Sequence, residues 1–224
     1  MTCCATSNAD TDRLFSRVAG LHRWRYRLIG LERTQRQLIS GLRRAGIAGA
    51  SLMEVGCGAG ELERALLQAG AGTALGIDLS AGMLAIARAE AAASGMSDRT
   101  DYDQGDFTAM TDRLPDADVV ILDKVVCCYP DWQRMVDSSL AKTRRLYALT
   151  YPRDRALTRL GLRVTRWGLH RMGCCYQPYL HAPDRIAARI RDAGFRRIHT
   201  ALTPIWLTEV YVRTEASTGL AGTP

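Results

Sequence analysis

The residues of this chain best placed to do chemistry are Glu54, the three glycines at 56, 58 and 60, and Asp78. A short apolar run, Leu52, Met53 and Val55, stops at the glycines, and a helix-forming segment begins behind them at Glu61. That order reads as strand, tight turn, helix. Lacking Cβ atoms, Gly56, Gly58 and Gly60 permit positive φ and let a ligand approach the main chain closely. Asp78 ends the next strand-like run, Thr73–Ile77, where a nucleoside-binding fold sets a carboxylate to accept the ribose hydroxyls. A nucleoside is therefore the expected ligand. Ser80 follows as the N-cap of the next helix.

The spacing narrows the choice. A dinucleotide turn is G-x-G-x-x-G with a small closing residue, whereas counting from Gly56 that place belongs to Glu61. NAD is disfavoured. With Glu54 ahead of the turn, the pattern E-x-G-x-G-x-G resembles motif I of the class I S-adenosylmethionine-dependent methyltransferases, and the resemblance runs from about Leu38 to Arg213. It implies S-adenosylmethionine as cofactor, with Glu54 at the methionine end, Gly56, Cys57, Gly58 and Gly60 forming the turn, and Asp78 and Leu79 at the ribose. It also implies that Asp106 bonds the adenine amine, with Phe107 or Met83 walling the ring. By its own spacing, Asp106 reads as a helix N-cap, a compatible role.

Methyl transfer from a sulfonium is an in-line displacement, so the protein's main task is to align the acceptor and exclude water. A base is needed only for a protonated acceptor. Candidates near the methyl are Asp123, which also belongs to the cofactor set, with Tyr129, Tyr151 and His181. Histidine titrates nearest neutral pH.

These residues need a frame. Alternating strands and helices, ending in a hairpin at Phe195–Thr203 and Ile205–Arg213, predict a doubly wound, Rossmann-like α/β sheet with helices on both faces. The resemblance implies seven strands in the order 3-2-1-4-5-7-6. Asp118–Leu122 is a nearly continuous apolar run, as a central parallel strand should be. It delivers Asp123 to Pro130 to the carboxyl edge of the sheet, beside the glycine turn. A helical insertion after strand five, about Arg153–Pro183, is expected to act as a lid, its Arg155, Arg159, Arg163 and Arg166 facing an anionic acceptor or an anionic surface. The layout is loosely similar to magnesium-protoporphyrin methyltransferases and to an uncharacterised bacterial group, through D-K-V-V-C-C-Y-P, Y-P-R-D and L-H-x-P.

At 224 residues the chain suits one domain, 1–224. Within it the reading expects a flexible or capping segment over 1–24, an N-terminal helix over 25–46 and a disordered tail over 216–224. Met1–Asp10 has no charged-then-apolar pattern and no apolar run reaches the roughly 18 residues of a membrane span, so a cytoplasmic protein is expected. The net charge of +7 is unevenly spread: residues 51–143 hold 15 acids against seven bases, whereas residues 144–213 hold 14 arginines against four acids. The acidic middle is the cofactor half. Six of the seven cysteines form adjacent pairs, Cys3-Cys4, Cys127-Cys128 and Cys174-Cys175, without ligand spacing for zinc, so reduced thiols and no metal are expected.

The primary expectation is thus methyl transfer to a small-molecule acceptor. Two alternatives use other features. Cys127, Cys128, Cys174 and Cys175 converging over the cofactor would bind a metalloid such as arsenite, and the arginine stripe would suit a nucleic-acid phosphate backbone. No N-P-P-Y-type motif follows strand four, and nucleic acid is the less expected partner.

Overall fold

The computed structural model describes residues 8–171 and 176–214. Its centre is a seven-stranded sheet in the order β3-β2-β1-β4-β5-β7-β6. The strands are β1 (Ser51–Val55), β2 (Thr73–Asp78), β3 (Thr100–Gln104), β4 (Ala117–Asp123), β5 (Thr143–Pro152), β6 (Phe195–Leu202) and β7 (Trp206–Arg213). The pairs β1–β2, β1–β4, β2–β3 and β4–β5 are parallel; β5–β7 and β6–β7 are antiparallel. The strand order reverses between β1 and β4, and the ends of those strands are where such sheets bind ligands.

Both faces of the sheet are covered, which is why β4 reads as an unbroken apolar run: Val119, Val120, Ile121 and Leu122 are all fully buried. Successive side chains point to opposite faces. Met53, Val120, Leu122, Tyr147 and Leu149 join a core with α6 (Trp132–Ala141) and α8 (Pro183–Asp192). Leu52, Val119, Ile121 and Leu146 join the other, with α2 (Arg33–Ala45) and α3 (Glu61–Gln68). α4 (Ala81–Ala93) packs on β3, and Asp106 leads into the short α5 (Phe107–Met110).

Two helices depart from the sequence expectation. Instead of one helix over 25–46 the chain forms α1 (Asn8–Ile29) and α2, parted at Gly30, whose φ of 72° takes the left-handed region. Glu32 then starts α2, its N–H donating to Gln35 Oε1 at 3.0 Å. Leu38 and Leu42 of α2 are fully buried, while Leu28 of α1 is 65% exposed, so the apolar stripe running from 28 to 42 belongs to two helices in different surroundings. The expected capping segment 1–24 is, from Asn8, part of α1, which packs along α4. The insertion after β5 contains α7 (Ala156–Arg171), in which Thr158 is the only buried residue. The tail 216–224 and the pairs Cys3-Cys4 and Cys174-Cys175 lie outside the described residues.

Candidate active site

The turn after β1 is tied to β2 by its own backbone. Gly56 N–H and Cys57 N–H both donate to Ile77 O, at 2.7 and 3.1 Å. Gly56, Gly58 and Gly60 all have positive φ, between 56° and 69°. A Cβ on Gly56 would stand 2.2 Å from Val125 Cγ2, so this glycine lets β1 and the segment after β4 close on one another. A Cβ on Gly58 would meet nothing within 4 Å: it would project into open space, and Gly58 lines the cavity. Asp78 completes the turn. Its Oδ2 accepts Gly58 N–H and its Oδ1 accepts Ser80 N–H, each at 2.8 Å, leaving further lone pairs on both oxygens. Ser80 caps α4, accepting Met83 N–H at 3.2 Å.

A cavity of about 440 Å³ opens over this turn, within the range of small-molecule sites. Of the expected cofactor residues, Glu54, Gly56, Cys57, Gly58, Asp78, Leu79, Met83, Asp106, Phe107 and Asp123 line it; Gly60 stands behind, as N-cap of α3. Asp106 caps α5, its Oδ1 accepting from Thr108 N and Oγ1 at 2.9 Å.

One end of the cavity is crowded with carboxyls. Glu54, Glu61, Asp78 and Asp123 face it, together with Glu32 from the start of α2. Burial pushes Glu54 well above the usual carboxylate range, and Glu63, Asp123, Glu61 and Asp78 push it further. Glu54 Oε2 and Asp123 Oδ1 are buried and have no hydrogen-bond partner among the described residues. Burial raises Asp123 too, against the pull of Lys124. Lys124 follows with φ 62°, the one described non-glycine residue in that region. Its Nζ pairs with Glu32, which also pairs with Arg25 of α1.

The other walls are apolar or weakly polar: Phe15 and Val18 of α1, Val125, Cys128 and Tyr129. α1 is held over the turn by Ser16, whose Oγ lies 2.8 Å from Ser80 Oγ and accepts Gly82 N–H at 3.2 Å. Cys128 Sγ lies 2.9 Å from Tyr176 Oη and 3.9 Å from Cys127 Sγ. The hydrogen bonds from Cys127 and Tyr176 draw the Cys128 thiol below its ordinary value. Tyr179 N–H donates to Cys127 O at 2.6 Å, so the chain returning from α7 is laced to the loop after β4.

The four catalytic candidates separate. Asp123 and Tyr129 reach the cavity; Tyr151 and His181 do not. Tyr129 Oη lies 2.6 Å from Thr108 Oγ1 and donates to Asp106 Oδ2 at 3.3 Å, and burial keeps it protonated. Tyr151 is 1% exposed and donates to Glu209 Oε2 at 2.5 Å; the buried Tyr211 also donates to that carboxylate, and Arg197 reaches it from the surface. His181 Nε2 lies 3.1 Å from Tyr129 O, and its ring stacks on Tyr179 at 5.9 Å; burial lowers its pKa. Both are built into the frame. Phe15, Val18, Glu32 and Gln35, which the sequence does not single out, are brought to the cavity by α1 and the start of α2; Lys124 comes with the segment after β4.

Residues 52–145 match the family described as "Methyltransferase domain". Over those residues, less than half of the chain, the sequence is similar to that family. A stretch of 72 residues, 32% of the chain, is 40% identical to a ubiquinone biosynthesis O-methyltransferase of Pseudomonas paraeruginosa, and spans only 30% of that relative's length. The magnesium protoporphyrin IX methyltransferase of Synechocystis PCC 6803, solved with bound SAH, superposes with a TM-score of 0.70 at 22% identity, covering 92% of this chain and 99% of that one. The cyclase SpnF superposes with a TM-score of 0.61 at 15% identity over 80% of each chain. At such identities the likeness is one of fold, and SpnF shows that this fold also serves other reactions.

The similarity to a methyltransferase domain implies S-adenosylmethionine, and the residues present fit it. The turn leaves room at Gly58 for a ligand against the backbone. Asp78 keeps lone pairs for ribose hydroxyls. The buried, unpartnered oxygens of Glu54 and Asp123, among other carboxyls, suit a ligand that carries an ammonium and a sulfonium. Among the described residues no cluster of side chains is arranged to hold a metal ion.

Proposed function

We propose that the chain is an S-adenosylmethionine-dependent methyltransferase acting on an oxygen of a small molecule. The observation that carries this reading is the single cavity wall running from the carboxyl-crowded glycine turn to the apolar Phe15, Val18, Val125 and Cys128. One end suits a cationic nucleoside; the other suits a largely apolar acceptor. The oxygen as acceptor atom is supported by the relative's name as an O-methyltransferase.

When bound, the cofactor supplies an electrophilic methyl on a sulfonium. The chain's own residues do the rest. Glu54 and Asp78 fix the two polar ends of the nucleoside, and Asp106 with Phe107 and Met83 receives the base. α1, latched by Ser16 and by Glu32, roofs the cavity and keeps water from it. Asp123 is the candidate base, because burial raises its pKa toward that of a useful proton acceptor and its Oδ1 is free of partners among the described residues. Tyr129 holds Asp106 and Thr108 in place.

Incubating the protein with methyl-labelled S-adenosylmethionine and fractionated cell extract tests the reading. Label should move to a small organic product, and Asp123→Asn should lower turnover more than it lowers cofactor affinity. Label that stays in the cofactor with every fraction, or appears in RNA, would overturn it.

A further inference from the structure

α7 has no core to belong to. Fifteen of its sixteen residues are at least partly exposed, only Thr158 being buried. Leu157, Leu160, Val164 and Trp167 are 61, 58, 60 and 64% exposed. At a helix period of 3.6 these four fall in one stripe, and the stripe points away from the side that carries Thr158. An isolated helix of this length is marginal in water, and four large apolar side chains left wet forfeit the burial that would hold it.

The flank of the stripe is equally one-sided. α7 contains Arg159, Arg163, Arg166 and Arg171 and no acidic residue. Arg159 is paired with Asp154, just outside the helix, and Arg166 donates to Gln177 at 3.0 Å. Arg163 and Arg166 project beside the apolar stripe, on the side between it and Thr158. Trp167 lies near the C-terminal end of the stripe, with the Arg171 guanidinium 5.4 Å from its ring centre.

From this arrangement we infer that α7 is an interfacial helix that docks the protein on an anionic lipid surface. A wet apolar stripe, a tryptophan, flanking arginines and no acids are the features of a helix lying in the plane of a membrane boundary. A second copy fits less well, because a twofold contact would set arginine flank against arginine flank. No described helix is long and apolar enough to cross a membrane, so the contact is peripheral. α7 leaves from the end of β5 and the chain returns through Tyr176 and Tyr179 to the loop after β4, so docking would hold the cavity mouth near the lipid. The inference does not depend on methyl transfer.

Co-sedimentation of the full chain with lipid vesicles tests it without any substrate. Vesicles of phosphatidylcholine with about one third phosphatidylglycerol should pull the protein down at low salt, and pure phosphatidylcholine vesicles should not, since anionic headgroups attract each arginine. Leu160→Ser with Trp167→Ser should abolish sedimentation; each of Arg163→Gln and Arg166→Gln should weaken it about fivefold. All four side chains lie on the exposed sides of the helix, so thermal unfolding of the variants should match the parent and show that the core is intact. Absence of binding to the anionic vesicles, or binding that survives the double serine change, would overturn the inference. So would a dimer in solution that the same double change dissociates, which would make the stripe a contact between copies.

Discussion

The carboxylate of Asp78 accepts the backbone N–H of Gly58 at 2.8 Å, across twenty residues of sequence. The bond fastens the end of β2 to the glycine turn after β1 and holds the carboxylate at the cavity wall, where the proposed function has it meet a ribose.

Replacing Asp78 with alanine should therefore weaken binding of S-adenosylmethionine by about 1.5 to 3 kcal/mol, roughly ten- to a hundredfold in Kd, the usual loss for hydrogen bonds to a charged group. Calorimetry on the purified variant reads this directly. Unchanged affinity would move the ribose elsewhere.

Glu63 gives a pH signature to the ligand-free protein. It is fully buried beneath the turn, and burial, opposed by the Tyr102 hydroxyl and by Arg64, raises its carboxyl from 4.5 to about 8. In that window the folded chain keeps a proton that the unfolded chain has released. The contribution to stability is complete below about pH 4.5 and is lost as pH rises to about 8. Glu63→Gln should flatten the fall in melting temperature between pH 5 and 8, as followed by circular dichroism. An unaltered slope would show that Glu63 is ionised in the fold.

Tyr151, buried and bonded to Glu209 away from the cavity, should act on stability and not on turnover. Tyr151→Phe leaves the fully buried Glu209 with one donor fewer, and should cost about 1 to 3 kcal/mol of unfolding free energy. Methyl-transfer kinetics at a temperature well below the midpoint should not change. A large loss of kcat in a stably folded variant would return the hydroxyl to the active site.

Gly41 marks how tightly α2 sits on the terminal hairpin. A Cβ there would lie 2.6 Å from His199 Cδ2 and 2.8 Å from Val210 Cγ2. Gly41→Val should destabilise the protein by about 1 to 3 kcal/mol through overpacking, measured by denaturant unfolding.

The glycine turn and the positions of Glu54, Asp78 and Asp106 at strand ends and caps are legible in the sequence, because each rests on local chemistry: an apolar run, a turn that needs positive φ, an acid at a strand end. The strand order is legible only through the family resemblance, since no local pattern tells which strands pair. What escaped was set by distant contacts. Leu28 and Leu38 share a helical period, yet only the packing of α2 against β5 and β7 makes one of them core and leaves the other wet. Tyr151 and His181 follow the right strands, but nothing local tells that the Tyr151 hydroxyl meets Glu209, or that the His181 ring stacks on Tyr179. Phe15 and Gln35 reach the cavity from two helices parted at Gly30, and the segment after β4 turns there through a left-handed backbone at Lys124, a conformation no lysine advertises.

The most direct test of the account is a titration of the purified chain with S-adenosylmethionine, S-adenosylhomocysteine and NAD under the same conditions. The account predicts saturable one-to-one binding of the first two and no heat with NAD. Binding of NAD, or silence with both sulfur nucleosides, would contradict it.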